Sequence, residues 1–199
     1  DGIGHRLTGS PQMDQAVKWA QDTLRRDGHE GVTAEPVQAV KWVRGPESLE
    51  LISPRSMHLK MLGLGMSVGT PPQGIEAPVL VVDGEGELEA RSDEAAGKIV
   101  LFNNPMPAWT LSGGTHYGET VRYRIKGPKL AAQVGAVAVL VRSVTAHSLR
   151  SPHTGTTSYR DVVRKIPAAA ISTEDADLLD RLARNPGPGG PPVVRLKMA

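Results

Sequence analysis

Residues 97–143 read GKIVLFNNPMPAWTLSGGTHYGETVRYRIKGPKLAAQVGAVAVLVRS. The first apolar run, Ile99-Val100-Leu101-Phe102, is bounded by Gly97-Lys98 and by Asn103-Asn104-Pro105. A run so short, rich in β-branched and aromatic residues and flanked by turn formers, reads as a buried strand. A long polar loop rich in Gly and Pro follows. Pro128 then opens a short helix over residues 128–134, with Leu130, Ala131 and Val134 on one face and Gly135 as its stop. Residues 136–141, AVAVLV, read as a second buried strand. Strand, loop, helix and strand with apolar flanks make a βαβ-like unit with mostly parallel pairing.

Upstream, Ser10 and Pro11 start a helix as N-cap and first helical residue. Met13, Val17, Ala20 and Leu24 recur at helical spacing, and Gly28 stops the helix after Arg25 and Arg26. Residues 31–43 read as a strand that Gly45-Pro46 breaks, and residues 48–52 and 58–64 as two more. The turn cluster Thr70-Pro71-Pro72-Gln73-Gly74 is the best candidate for a domain boundary. Beyond it, residues 77–82 are a strand and residues 86–90 a short helix. Downstream, residues 145–165 form a second polar loop and residues 166–171 a strand. Ser172 or Thr173 then caps a helix with Ala176, Leu179, Leu182 and Ala183 as its stripe. Residues 193–198 close with a strand. The fold class is α/β, mixed sheets with short helices.

Composition narrows the function classes. The 199 residues hold one large domain or two small ones, and 39% hydrophobic content fills a core. Aromatics are 4%, so aliphatic residues do the filling. Lys and Arg are scattered with no basic run, so a net charge of +2 gives no support for nucleic-acid binding. No Cys occurs, which excludes a disulfide framework and thiolate metal sites. No apolar run reaches the ~20 residues of a membrane helix, and no signal-peptide pattern is present. The first residue is Asp1, which suits a chain taken from a longer one.

Several motifs invite chemistry. Gly65-Met66-Ser67-Val68-Gly69 fits G-x-S-x-G, a nucleophile elbow in which a strand turns sharply into a helix. The Pro-rich turn after it cannot start that helix, so Ser67 reads as structural and its glycines as a close backbone approach. The six histidines form no H-x-H or H-E-x-x-H pattern, so no metal site is expected in this chain. Glu174-Asp175 and Asp93-Glu94 fall at helix starts, where carboxylates stabilise exposed N–H groups. The functional candidates are the two long loops: residues 105–118, with Trp109, His116 and Tyr117, and residues 150–161, with His153 and Tyr159. Both leave the C-terminal ends of neighbouring strands, so parallel pairing predicts that they share one edge.

The order of GKIVLFN, YGETVRYR, KLAAQVGAVAVLVRS and KIPAAAIS resembles the protease-associated (PA) domain of family-28 zinc exopeptidases. The resemblance continues upstream in HRLTGSP, VKWAQDTL, EPVQAVKWVRG and LGLGMSVGTPP, and covers almost the whole chain. It implies a swivelling β/β/α fold for residues 71–199, with residues 1–70 resembling the start of the peptidase domain. It implies two zinc ions and a general-base Glu in that peptidase domain, and carries no ligand and no catalytic residue onto this chain. The implied role is non-catalytic: covering the active site, limiting substrate access and binding protein, in a secreted or periplasmic amino- or carboxypeptidase. The implied partners are the peptidase domain and a peptide or protein substrate. Two alternatives stand beside it, a free-standing protein- or peptide-binding module and a serine hydrolase acting through Ser67.

Overall fold

The structure, a computed structural model, describes residues 2–162 and 164–199. It divides into two compact units, Asp1–Val43 and Arg44–Ala199. In the first unit, α1 spans Pro11–Arg26. The Ser10 hydroxyl accepts from the Met13 N–H, and Pro11 takes the first turn, where no intrahelical donor is needed. The apolar stripe of α1 is present, yet none of its residues is buried within the chain. Residues 31–43, read as a strand, form none: Val37, Val40 and Val43 are exposed and the segment joins no ladder. A strand needs a neighbour to satisfy its backbone, and Pro36 removes one donor from this one.

Among the described residues, eight strands of the second unit form one mixed sheet. They are β1 (Glu47–Ser53), β2 (Met57–Leu59), β3 (Met61–Gly63), β4 (Ile75–Val82), β5 (Ile99–Phe102), β6 (Ala138–Arg142), β7 (Ala168–Ile171) and β8 (Val193–Met198). Their spatial order is β2-β1-β8-β4-β5-β6-β7-β3. The four strands β4 to β7 run parallel, while β8 is antiparallel to both β4 and β1. At the ends, β2 pairs antiparallel with β1 and β3 antiparallel with β7. These end strands are separated in sequence by Lys60 alone, so the sheet curls until its two edges meet there. The turn at residues 70–74 lies between β3 and β4. The compact units divide between Val43 and Arg44, because β1 and β3 find ladder partners in β8 and β7 and β2 is held by β1.

Period-two alternation in the parallel strands builds two cores. Val79, Val81, Ile99, Leu101, Ala138, Leu140, Ala169 and Ile171 face one side, with Ala176 and Leu179 of α5 (Thr173–Arg184). Leu80, Val82, Val100, Phe102, Val139, Val141, Ala168 and Ala170 face the other, with residues of α2 (Glu85–Ala90), α3 (Ser92–Ala95) and α4 (Tyr117–Gln133). Strand β5 is fully buried on both faces, which is why it reads as an unbroken apolar run. Burying each of its large side chains contributes about 1.5–3 kcal/mol.

Helix α4 corrects the expected short helix over residues 128–134. It begins at Tyr117 and carries Pro128 in its interior, where proline cannot donate to the Arg124 carbonyl. Packing overrides that loss. Thr120, Tyr123, Arg124, Gly127, Pro128 and Ala131 form its buried face, a helical spacing made without one aliphatic branched residue. Phe102 stacks on Tyr123 at 4.8 Å between ring centroids. Gly127 lets the helix approach, since a Cβ there would lie 3.2 Å from the Phe102 ring.

Candidate functional site

The register of β5 and β6 places the candidate loops. Ile99 pairs with Ala138 and Phe102 with Val141 in parallel, so the chain leaves both strands at the same edge. The first loop runs from Asn103 to His116 and then enters α4. Its tip is closed by paired backbone hydrogen bonds between Thr110 and Gly114. The second loop follows β6 and returns to β7.

That second loop is pinned at three places. The first is the start of α5, where the Glu174 carboxylate accepts from the Ser148 hydroxyl at 2.8 Å and the Arg150 N–H at 3.0 Å. Partial burial pushes the Glu174 carboxyl up, but these bonds, its own N–H and the Thr173 hydroxyl outweigh that and bring it to about 2. Asp175, only 2% exposed, pairs with Arg150 at 2.9 Å and accepts from the Lys60 N–H at 2.7 Å. The second anchor is the end of β3. The Gly65 N–H donates to the Gly155 carbonyl and the Thr157 N–H to the Gly65 carbonyl, with Thr154 Oγ1 donating to the Gly63 carbonyl. The third is α4, through Arg124.

Arg124 joins the two loops. Its Nη1 donates to the Thr154 carbonyl of the second loop, and its Nη2 to the Tyr117 hydroxyl where the first loop ends, both at 2.7 Å. The guanidinium also lies over the Tyr117 ring, 5.5 Å from its centroid. It is 5% exposed, and its Nε is the one buried side-chain polar atom without a hydrogen-bond partner among the described residues. Sequence reading missed Arg124 because it searched for an apolar stripe. The spacing of Thr120, Tyr123, Arg124, Gly127 and Ala131 was the available signal.

The expected site residues fall into two groups. Trp109 is 63% and Tyr117 44% exposed, and His153 is exposed, its backbone N–H donating to Ser143 Oγ at 2.8 Å. His116 is half-buried in the left-handed region at the cap of α4, its Nδ1 3.8 Å from Glu119. Tyr159 is half-buried and acts as a strut. Its hydroxyl donates to the Ile166 carbonyl at 2.5 Å and accepts from the Val68 N–H at 3.4 Å. Burial pushes its phenol up, against the opposing hydrogen bond from the Val68 N–H.

Ser67 is held in the backbone framework. Its hydroxyl accepts from the Ala168 N–H and donates to the Val68 carbonyl, both at 2.9 Å. No helix follows it, so the elbow geometry of a serine nucleophile is absent from this stretch. Gly69 sits where a Cβ would come 2.8 Å from the Met198 carbonyl, a close backbone approach. Among the described residues, no group of three or more His, Asp and Glu side chains is arranged to hold a metal ion. No helix among them is long and apolar enough to cross a membrane.

No family model matches the chain. It is 45% identical over 198 residues to carboxypeptidase Q of Homo sapiens and 46% identical to that of Xenopus laevis. Each alignment covers 100% of this chain and 40% of the relative, so the chain spans two fifths of the length of the curated relatives it matches. Among solved structures, a peptidase M28 precursor from Shewanella amazonensis superposes with a TM-score of 0.87 at 34% identity. That superposition covers 99% of this chain and 44% of that one. A zinc aminopeptidase from Bacillus subtilis shares the fold, with a TM-score of 0.59 at 21% identity over 100% of this chain and 40% of that one.

Proposed function

From a chain that matches one portion of the family-28 zinc exopeptidases, we propose that residues 44–199 act as a non-catalytic PA-type domain over a peptidase active site. The domain limits access of peptides and contacts them or a protein partner. A curled mixed sheet with helices on both faces supports the PA assignment. Residues 1–43 belong to the peptidase body, a reading supported by their exposed Val17, Leu24, Val37, Val40 and Val43. In the whole protein, two zinc ions held by that body supply the hydrolytic chemistry. The proposal assigns no hydrolytic step to residues of this chain. The same reading includes a secreted or periplasmic location, which rests on the resemblance alone.

One observation carries the role: parallel β5 and β6 deliver both long loops to one edge, with Trp109 and His153 exposed on them and Tyr117 exposed at the start of α4. The test uses the full-length protein carrying Trp109→Ala. Its kcat/KM for unblocked dipeptides falls about tenfold, as expected for truncating one aromatic contact. Unchanged kinetics for Trp109→Ala and for a variant with residues 109–114 shortened would refute the role.

A further inference from the structure

We infer that Arg124 is a positioning residue that holds the Tyr117 hydroxyl as a preorganised hydrogen-bond donor for an oxygen of a bound peptide. The inference rests on the reading that this loop edge meets the peptide, and names the group that touches it.

The argument starts from donor and acceptor inventory. A guanidinium only donates, so the bond from Arg124 Nη2 to Tyr117 at 2.7 Å uses the phenol oxygen as acceptor. The phenol proton is then left for an acceptor beyond the chain, since the Tyr117 hydroxyl donates to no group among the described residues. Tyr117 is 44% exposed, so the proton is offered at the surface of the loop edge.

The support beneath it is built. Arg124 lies seven residues after Tyr117, two turns along α4, so both stand on one face. It is 5% exposed and pairs with no carboxylate among the described residues. Its hydrogen bonds go to the Thr154 carbonyl and the Tyr117 hydroxyl. A buried cation without a counter-charge is costly, and a charge-assisted bond polarises the phenol it touches into a stronger donor. The guanidinium over the Tyr117 ring fixes the ring plane as well as the oxygen. Gly155 makes the junction possible, since a Cβ there would lie 2.4 Å from Arg124 Nη1. A peptide carbonyl and a terminal carboxylate present the same chemistry to such a donor.

The experiment uses the full-length protein with unblocked dipeptides and the matching dipeptide amides. Tyr117→Phe keeps the ring and its stacking but removes the proton. Its KM rises about tenfold, the equivalent of one charge-assisted hydrogen bond. Its kcat stays within about twofold, as for an interaction made equally in ground and transition states. Arg124→Lys keeps a cation without the fork and raises KM by a smaller factor. In the Tyr117→Phe background Arg124→Lys adds no further increase. Loss confined to the free-acid substrates assigns the acceptor as the carboxylate, and equal loss with the amides assigns a peptide carbonyl. Increases that multiply in the double variant would overturn the inference. An unchanged KM for Tyr117→Phe beside a raised KM for Trp109→Ala would overturn it while leaving the loop role standing. No change in either variant would remove both.

Discussion

Replacing Asp175 by Ala tests how the sheet is closed. Lys60 is the single residue between the two edge strands, and both of its backbone groups are tied to the start of α5. Its carbonyl accepts from the Ser172 N–H at 3.0 Å and its N–H donates to the Asp175 carboxylate at 2.7 Å. Removing the carboxylate leaves a donor without its acceptor, which costs about 1–3 kcal/mol. The ion pair with Arg150 adds little, since that side chain is 45% exposed and such pairs are worth about 0–1 kcal/mol. Loss of an acidic group from the first turn of α5 adds about 0.3–1 kcal/mol. The sum is about 1–5 kcal/mol, or a fall in Tm of roughly 3–20 °C for a chain of this size. Thermal unfolding at neutral pH, followed by circular dichroism, reads it. Asp175→Asn keeps an acceptor for Lys60 and is expected to lose less than half as much. Arg150→Ala is expected to cost only the surface pair. The reasoning is refuted if Arg150→Ala destabilises as much as Asp175→Ala, or if Asp175→Ala leaves Tm within about 2 °C.

Three further outcomes follow from the same geometry. Ser67→Ala removes the acceptor of the buried Ala168 N–H and lowers stability by about 1–3 kcal/mol in chemical denaturation. A fluorophosphonate probe is expected to leave Ser67 unlabelled, and labelling would restore the nucleophile reading. Gly127→Val forces a side chain against Phe102 and destabilises by about 1–3 kcal/mol, while a neutral result would mean that α4 does not sit this close to the sheet. Glu174 carries a pH signature. Its folded carboxyl lies at about 2, below its ordinary value, so its contribution is complete above that value and is lost as pH falls towards 2. The Tm gap between the wild type and Glu174→Gln is therefore expected to be constant near neutrality and to close in acid. A gap that widens as pH falls would contradict the assignment.

What the sequence made legible tracks the kind of packing involved. Strand β5 and most of β6 stood out because strands buried on both faces must be apolar at every position. The caps Ser10 and Ser172 were legible because capping is local chemistry, and both hydroxyls accept as expected. The start of α4 was not legible. Its buried face is Thr, Tyr, Arg, Gly, Pro and Ala, so the signal lies in side-chain size and in Phe102 opposite, which periodicity of hydrophobicity does not record. Residues 31–43 failed for the opposite reason. Their apolar pattern is that of a strand, but pairing is a property of a neighbour, and none is supplied within this unit. The turn at residues 70–74 was legible because its Pro and Gly residues act through local backbone chemistry. At the candidate site, the shared edge was legible from parallel connectivity alone. The junction at Arg124 was not, because it depends on a loop returning 30 residues later to meet the helix.

The most direct test is a structure of the full-length protein with a bound, non-hydrolysable dipeptide analogue. The expected result places atoms of Trp109 or Tyr117 within about 4.5 Å of the ligand, the range of direct contact. A peptide bound in the zinc site with both loops turned away from it, on the far side of residues 44–199, would contradict the proposed role.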